Sequence, residues 1–176
     1  GLFYLGFLPS HWLRLRNLTD FDVAPILQRL SIDNSWLSSG LLITLAACLM
    51  VVASDIGSYM IGRQIGRHPL SPISPSKTIE GAIGGALCSV FVGALMASLM
   101  GWTLAWLSGG LLGALVAFFA LVGDLTESMM KRDAGIKDSG DALPGHGGIL
   151  DRIDSYLFTP AVVYYALILM IPLIAN

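Results

Sequence analysis

"GAIGGALCSVFVGALMASLMGWTLAWLSGGLLGALVAFFALVG", Gly81 to Gly123, contains no charged residue. A helix needs about 20 apolar residues to cross the hydrocarbon core of a bilayer. The run therefore predicts two spans, with a turn near Gly101 and Trp102. The rest of the chain agrees with this reading. Of its 176 residues, 55% are apolar and only 12% charged. Soluble domains carry about 25% charged residues. The mean hydropathy of +0.72 points the same way. The expected fold class is all-α: a polytopic transmembrane helical bundle with a polar, cytoplasmic active-site segment. Spans are expected over 1–8 (the tail of a partial span), 39–62, 79–100, 103–123 and 156–175, in a single membrane-embedded domain over 1–176. Pro160 and Pro172 fall near the ends of the last span, where helices tolerate proline best.

Between the spans lie three polar stretches. His11 to Leu37 predicts a solvated or interfacial connection, and Arg63 to Thr78 a loop with Pro69, Pro72 and Pro75. Asp124 to Asp154 is the longest. Counting spans puts the second and third on one side, with Arg63, Arg67, Lys77, Lys131, Arg132, Lys137 and Arg152. Arg14, Arg16 and Arg29 fall on the other. Because cytoplasmic loops carry the excess of Lys and Arg, the first side is expected to be cytoplasmic. Cys48 and Cys88 lie in apolar runs and read as small core residues. Gly81 with Gly85, and Gly109 with Gly113, have the small-xxx-small spacing of close helix packing or a dimer face.

The polar stretches hold the chemistry. In "GDLTESMMKRD", Gly123 to Asp133, continued helix would put Asp124, Glu127 and Lys131 on one face. Intrahelical ion pairs at a helix end are the simpler account of that pattern. In "DRID", Asp151 and Asp154 would share a face, and two carboxylates within a turn repel unless a cation joins them. Hard oxygen ligands suit Mg²⁺. A helix N-terminus that favours Asp151 is the plainer alternative. The preceding "PGHGG" allows a backbone to approach a bulky anion closely. His146 could then reach a phosphate or orient a carboxylate. In "SPSKTIEG", Ser74 to Gly81, Lys77 offers a charge for phosphate, and Ser76 and Thr78 offer hydroxyls. A capped helix start explains Thr78 and Glu80 without Lys77. Asp55 lies inside a span, with Tyr59 and Gly62 on its face. An intramembrane acid is a functional candidate by default.

Together these residues resemble the phosphatidate cytidylyltransferase (CDP-diacylglycerol synthase) family. Its signature runs S-x-apolar-K-R-x4-K-D-x-small-x2-apolar-[PGS]-x-H-G-G-apolar-x-D-R-apolar-D. Ser128, Lys131, Arg132, Lys137, Asp138, Gly140, Leu143, Pro144, His146, Gly147, Gly148, Ile149, Asp151, Arg152, Ile153 and Asp154 fit it without a gap. "SDIGSYMIGRQIGRHPLSPISPSKTIEG" resembles a second family block, in which Ser76 stands where a lysine is common. The resemblance covers about Ala53 to Ser155 and identifies the chain as the carboxy-terminal portion of a longer family chain.

The resemblance implies an Mg²⁺-dependent nucleotidyltransferase in phospholipid biosynthesis, making CDP-diacylglycerol and pyrophosphate from CTP and phosphatidate. It implies metal binding by Asp124, Asp151 and Asp154, with a monovalent cation such as K⁺ beside the Mg²⁺, and a homodimer in the cell's inner membrane. Lys77, Asp124, Lys131, Lys137, Asp151 and Asp154 are the expected catalytic residues. Ser74, Ser76, Thr78, Glu80, Arg132, Asp138, His146, Gly147, Gly148 and Arg152 are the expected substrate-binding set, with Asp55 and Glu127 as further candidates. The partners expected are CTP, phosphatidate and membrane lipids, not nucleic acid. Two other enzyme and non-enzyme classes compete: a CTP-dependent lipid-alcohol kinase, and an ion-coupled transporter using Asp55 and Asp124. A lipid-binding structural protein would need the basic loops but not the paired aspartates.

Overall fold

The computed structural model describes residues 2–18, 38–71, 74, 76–102, 104–136, 139–140 and 148–169. Among these, a π-helical turn, Leu2–Phe7, leads into α1, Leu8–Arg16. Four longer helices follow: α2 (Ser39–Ile65), α3 (Ile79–Met100), α4 (Ala105–Asp133) and α5 (Leu150–Leu169). Helices α2, α3 and α4 are long and apolar enough to cross a membrane. The only bridge of β type among the described residues pairs Pro69 with Thr78. The expected all-α membrane bundle is thus the observed fold.

Local signals explain the ends of α3. The Thr78 hydroxyl accepts the Gly81 N–H at 3.1 Å, capping the first turn. At the other end Gly101 takes φ 75°, the left-handed conformation that glycine adopts without penalty, and the Trp102 N–H returns to the Ala97 carbonyl at 3.0 Å. The chain therefore reverses where the uncharged run predicts.

Three expectations change. The span expected over 103–123 belongs to a helix that starts at Ala105 and runs on to Asp133. The polar stretch expected from His11 begins as helix, because His11 and Leu15, one turn apart, both face the bundle. His11 is fully buried, its ring 5.5 Å from those of Tyr164 and Tyr165 on α5. The Arg14 guanidinium lies 5.9 Å from the centre of the Tyr164 ring. Aromatic partners from α5 thus draw a polar-looking segment into the bundle. The last span, expected over 156–175, starts earlier, at Leu150; positions 170–175 lie outside the described residues.

Helix α3 packs against α2 and α4, α4 against α5, and α5 against α1. Both glycine pairs serve this packing. A Cβ on Gly85 would sit 2.5 Å from the Ser54 carbonyl oxygen of α2, and one on Gly113 would strike the Ser89 carbonyl of α3. The Ser89 hydroxyl donates to the Gly113 carbonyl at 2.9 Å across the same contact. Met50, Val51, Met100, Val116, Val163 and Leu167 fill the interior beside these crossings. At one end of the bundle Arg16 donates to the Ser38 hydroxyl at 2.5 Å, joining α1 to the start of α2. The other end gathers the C-termini of α2 and α4 with the N-termini of α3 and α5, and there the polar residues meet.

Candidate active site

A cavity of about 630 Å³ opens at that polar end. One wall is α2, with Ser54, Asp55, Ser58 and Tyr59. Ser76, Lys77 and Thr78 form the approach to α3, and the last turns of α4 and first turn of α5 complete the enclosure. Its size suits a small-molecule site.

The helix α4 does what its spacing predicts: Asp124, Glu127 and Lys131 all line the cavity. Ligand oxygens of Asp124, Glu127 and Asp154 lie within 4.8 Å of one another. Glu127 is 1% exposed. Its Oε2 accepts an ion pair from the Lys131 ammonium at 2.9 Å, and its Oε1 is buried with no hydrogen-bond partner among the described residues. An orphaned buried carboxylate oxygen costs free energy that a cation would remove. The donor set is all oxygen, the chemistry that Mg²⁺ and similar hard cations prefer. These residues therefore fit a divalent metal. Lys77 supplies positive charge beside them through an ion pair to Asp124. Burial pushes the Lys77 ammonium below the usual lysine range, an effect opposed by the carboxylates of Asp154, Asp55 and Glu127 and reinforced by Lys131.

Asp151 faces other partners. Its Oδ1 accepts from Lys131 at 2.6 Å. Its Oδ2 accepts from the Ser139 N–H at 2.9 Å, the Ser139 hydroxyl at 2.8 Å and the Gly148 N–H at 2.8 Å. The acidic cluster observed is therefore Asp124, Glu127 and Asp154, where the sequence suggested Asp124, Asp151 and Asp154. Gly148 fits this knot because it has no side chain: a Cβ would collide with the Ser139 hydroxyl and lie 3.0 Å from Asp151 Oδ2.

The remaining candidates divide by position. Asp55, Ser76, Thr78 and Arg152 line the cavity. Gly148 reaches the site through Asp151. Glu80 does not line the cavity; it accepts the N–H groups of Arg67 and His68 at 3.2 and 3.3 Å and pairs with the His68 ring at 2.6 Å, holding the loop before α3. Ser74 contributes its carbonyl to the Lys77 N–H at 3.1 Å. Arg132 is exposed on the last turn of α4. Lys137, Asp138, His146 and Gly147 lie outside the described residues. Glu127, a further candidate from the sequence, lies in the acidic cluster. The available signal was its place between Asp124 at i−3 and Lys131 at i+4, which puts it at the centre of one helix face.

Comparison with known proteins adds a second line of argument. The model of the cytidylyltransferase family matches residues 4–170. A phosphatidate cytidylyltransferase of Synechocystis sp. (strain ATCC 27184 / PCC 6803 / Kazusa) is 49% identical over 100% of this chain and 63% of its own length. Phosphatidate cytidylyltransferase 5, chloroplastic, of Arabidopsis thaliana is 44% identical over 93% of this chain and 42% of its own. A phosphatidate cytidylyltransferase of Staphylococcus haemolyticus (strain JCSC1435) is 47% identical over 76% of this chain and 52% of its own. The chain thus spans about two fifths to two thirds of these relatives' lengths. The family match takes in all five helices and both polar stretches that build the cavity, so the chain belongs to the cytidylyltransferase family.

Proposed function

We propose that the cavity joins CTP to phosphatidate, giving CDP-diacylglycerol and pyrophosphate in phospholipid synthesis. The observation that carries this reading is the cavity's placement: three clustered carboxylates and a partly buried lysine sit where apolar helices end. A lipid substrate could keep its tails in the bilayer there while its phosphate meets a soluble nucleotide. The relatives' names supply the reaction class.

In this reading an oxygen of the lipid phosphate attacks the α-phosphorus of CTP. The bond from that phosphorus to the bridging oxygen breaks, and pyrophosphate leaves with the electron pair. The nucleophile is already anionic, so no general base is assigned. Two polyanions must meet, so neutralisation and alignment dominate the barrier. Lys77 and Arg152 line the cavity and offset phosphate charge. Asp124, Glu127 and Asp154 would hold a divalent metal, taken as Mg²⁺, with K⁺ as companion ion. When bound, the metal would neutralise phosphate oxygens. Thr78 holds the start of α3, and with it Lys77, against the cavity. By their motif positions Lys137 belongs to the proposed catalytic set, and Asp138, His146 and Gly147 to the proposed substrate-binding set. A homodimer in the inner membrane, with the cavity facing the cytoplasm, completes the proposal. The cluster of Arg63, Arg67, Lys77, Lys131, Arg132, Lys137 and Arg152 on that side supports the orientation.

The test supplies CTP labelled in its α-phosphate and phosphatidate in mixed micelles, with and without Mg²⁺. The expected result is label in the lipid fraction and one pyrophosphate per labelled lipid. Release of CDP with unlabelled lipid would instead make the protein a CTP-dependent kinase. Ion or solute uptake by vesicles with no CTP consumed would make it a transporter.

A further inference from the structure

The bonds around Glu127 and Asp151 divide labour between two carboxylates that the sequence alone treats alike. Oδ1 of Asp151 takes the Lys131 ammonium, and its Oδ2 takes three donors from Ser139 and Gly148. A carboxylate offers about four lone-pair sites, so four donors leave little capacity for a cation. Glu127 is in the opposite state. Lys131 fixes its Oε2 at 2.9 Å, while Oε1 is buried without a hydrogen-bond donor among the described residues, and one carboxylate oxygen of Glu127 lies within 4.8 Å of ligand oxygens of Asp124 and Asp154. Lys131 connects the two carboxylates, since its ammonium contacts both, and the two side chains also meet each other directly.

We infer that Glu127 completes the cation-binding set with Asp124 and Asp154, and that Asp151 is a positioning residue acting on Glu127 through Lys131. Asp151 also draws Ser139 and Gly148 to one carboxylate, which fixes the two points at which the chain leaves α4 and re-enters at α5. Lys131 then neutralises carboxylates of the protein and is not a phosphate ligand. The inference rests on the proposed function only for the choice of a hard divalent cation.

The test is a double-mutant cycle read by Mn²⁺ binding to the metal-free full chain in detergent, followed by electron paramagnetic resonance without nucleotide or lipid. Glu127→Gln is expected to weaken Mn²⁺ binding by at least about tenfold, the scale of losing an interaction that tunes a metal site. Its metal-free melting temperature should hold or rise, because an orphaned buried charge is removed. Asp151→Asn is expected to weaken Mn²⁺ binding less, to lower the metal-free melting temperature, and to speed amide exchange at Ser139 and Gly148. The double variant should bind Mn²⁺ as Glu127→Gln alone does, because Asp151 acts through Glu127. Additive losses in the double variant would make Asp151 a ligand in its own right and overturn the assignment. So would unchanged Mn²⁺ binding in Glu127→Gln. If Glu127→Gln does not fold, Glu127→Asp keeps the charge, withdraws the oxygen by one carbon, and carries the same comparison. Absence of nucleotide transfer would count against the proposed reaction but leave this cycle unaffected.

Discussion

Lys131 and Asp151 lie 20 positions apart in sequence, yet the ammonium of one stands 2.6 Å from the carboxylate of the other. That bond ties the last turn of α4 to the first turn of α5, and both turns line the cavity. The pair is mostly buried, with side chains 18% and 12% exposed. Desolvating two charges is costly, and a buried pair needs further hydrogen bonds to be tolerated. Glu127 supplies a second partner for Lys131, and Ser139 and Gly148 supply further donors for Asp151.

Lys131→Met should therefore destabilise the protein strongly. It leaves Glu127 and Asp151 as neighbouring buried anions, and removing one partner of a buried pair costs about 3–5 kcal/mol. Adding Glu127→Gln should recover part of the loss, since one of the two stranded charges is then gone. Thermal unfolding of the single and double variants measures both effects. A Lys131→Met protein as stable as the parent would show that the ammonium is solvated and the clamp unimportant.

Close glycine packing gives a second expectation. Gly113→Ala places a methyl group against the Ser89 carbonyl, 2.8 Å from the Val90 Cα. Backbone cannot give way as a flexible side chain can, so α3 and α4 must separate. Overpacking of this kind costs about 1–3 kcal/mol. Gly110→Ala on the same helix is the control, because its new Cβ would meet only Val90 Cγ1 at 3.6 Å, an ordinary contact. Unfolding in graded denaturing detergent should separate the two variants. Equal midpoints would mean that α3 and α4 do not approach so closely.

The parts legible in sequence are those with local causes. Gly101 marks the end of α3 because only the residues around it are needed to build the turn. Asp124, Glu127 and Lys131 share a face because helical spacing requires it. The end of α4 is different. The apolar run stops at Gly123, but Thr126, Met129, Met130, Lys131 and Arg132 continue in helix to Asp133. Loss of hydrophobicity marks where polar surroundings begin, and Met, Lys and Arg are good helix formers in either medium. The burial of His11 was illegible for another reason: its partners, Tyr164 and Tyr165, are distant in sequence. The partners of Asp151 were hidden likewise. Spacing predicts that Asp151 and Asp154 stand one turn apart on a helix, but not that Ser139 and Gly148 converge on one of them.

Thiol labelling tests the proposed orientation of the bundle's two ends. Ser139 lies beside the cavity, and Asn17 lies where α1 approaches the start of α2, at the opposite end. In a protein whose two cysteines have been replaced, a cysteine at Ser139 should be labelled by an impermeant thiol reagent only from the cytoplasmic side. A cysteine at Asn17 should be labelled only from the other. Labelling of both from one side would contradict a bundle that crosses the membrane between them.

Lys77 is the residue whose replacement should affect metal and substrate in opposite directions. Its ammonium pairs with Asp124, a member of the carboxylate cluster, and it lines the same cavity. Without a metal it is a protein cation beside three acids, and an incoming ion must compete with it. Lys77→Ala removes that competitor, so Mn²⁺ binding to the substrate-free protein should tighten by a few fold. The same change removes positive charge from the place where two polyanionic substrates are proposed to meet. If Lys77 is worth about 3 kcal/mol to the charge that develops in the transition state, turnover should fall by roughly two orders of magnitude. A role limited to capping predicts neither effect, because the cap of α3 is the Thr78 hydroxyl and does not involve the Lys77 side chain. The melting temperature should fall, but less than for Lys131→Met, because the Lys77–Asp124 pair is the more exposed of the two. Parallel Mn²⁺ titrations and turnover measurements decide the matter. Unchanged turnover would reduce Lys77 to a counter-ion for Asp124, and weaker Mn²⁺ binding would mean that it supports the metal site instead of competing for it.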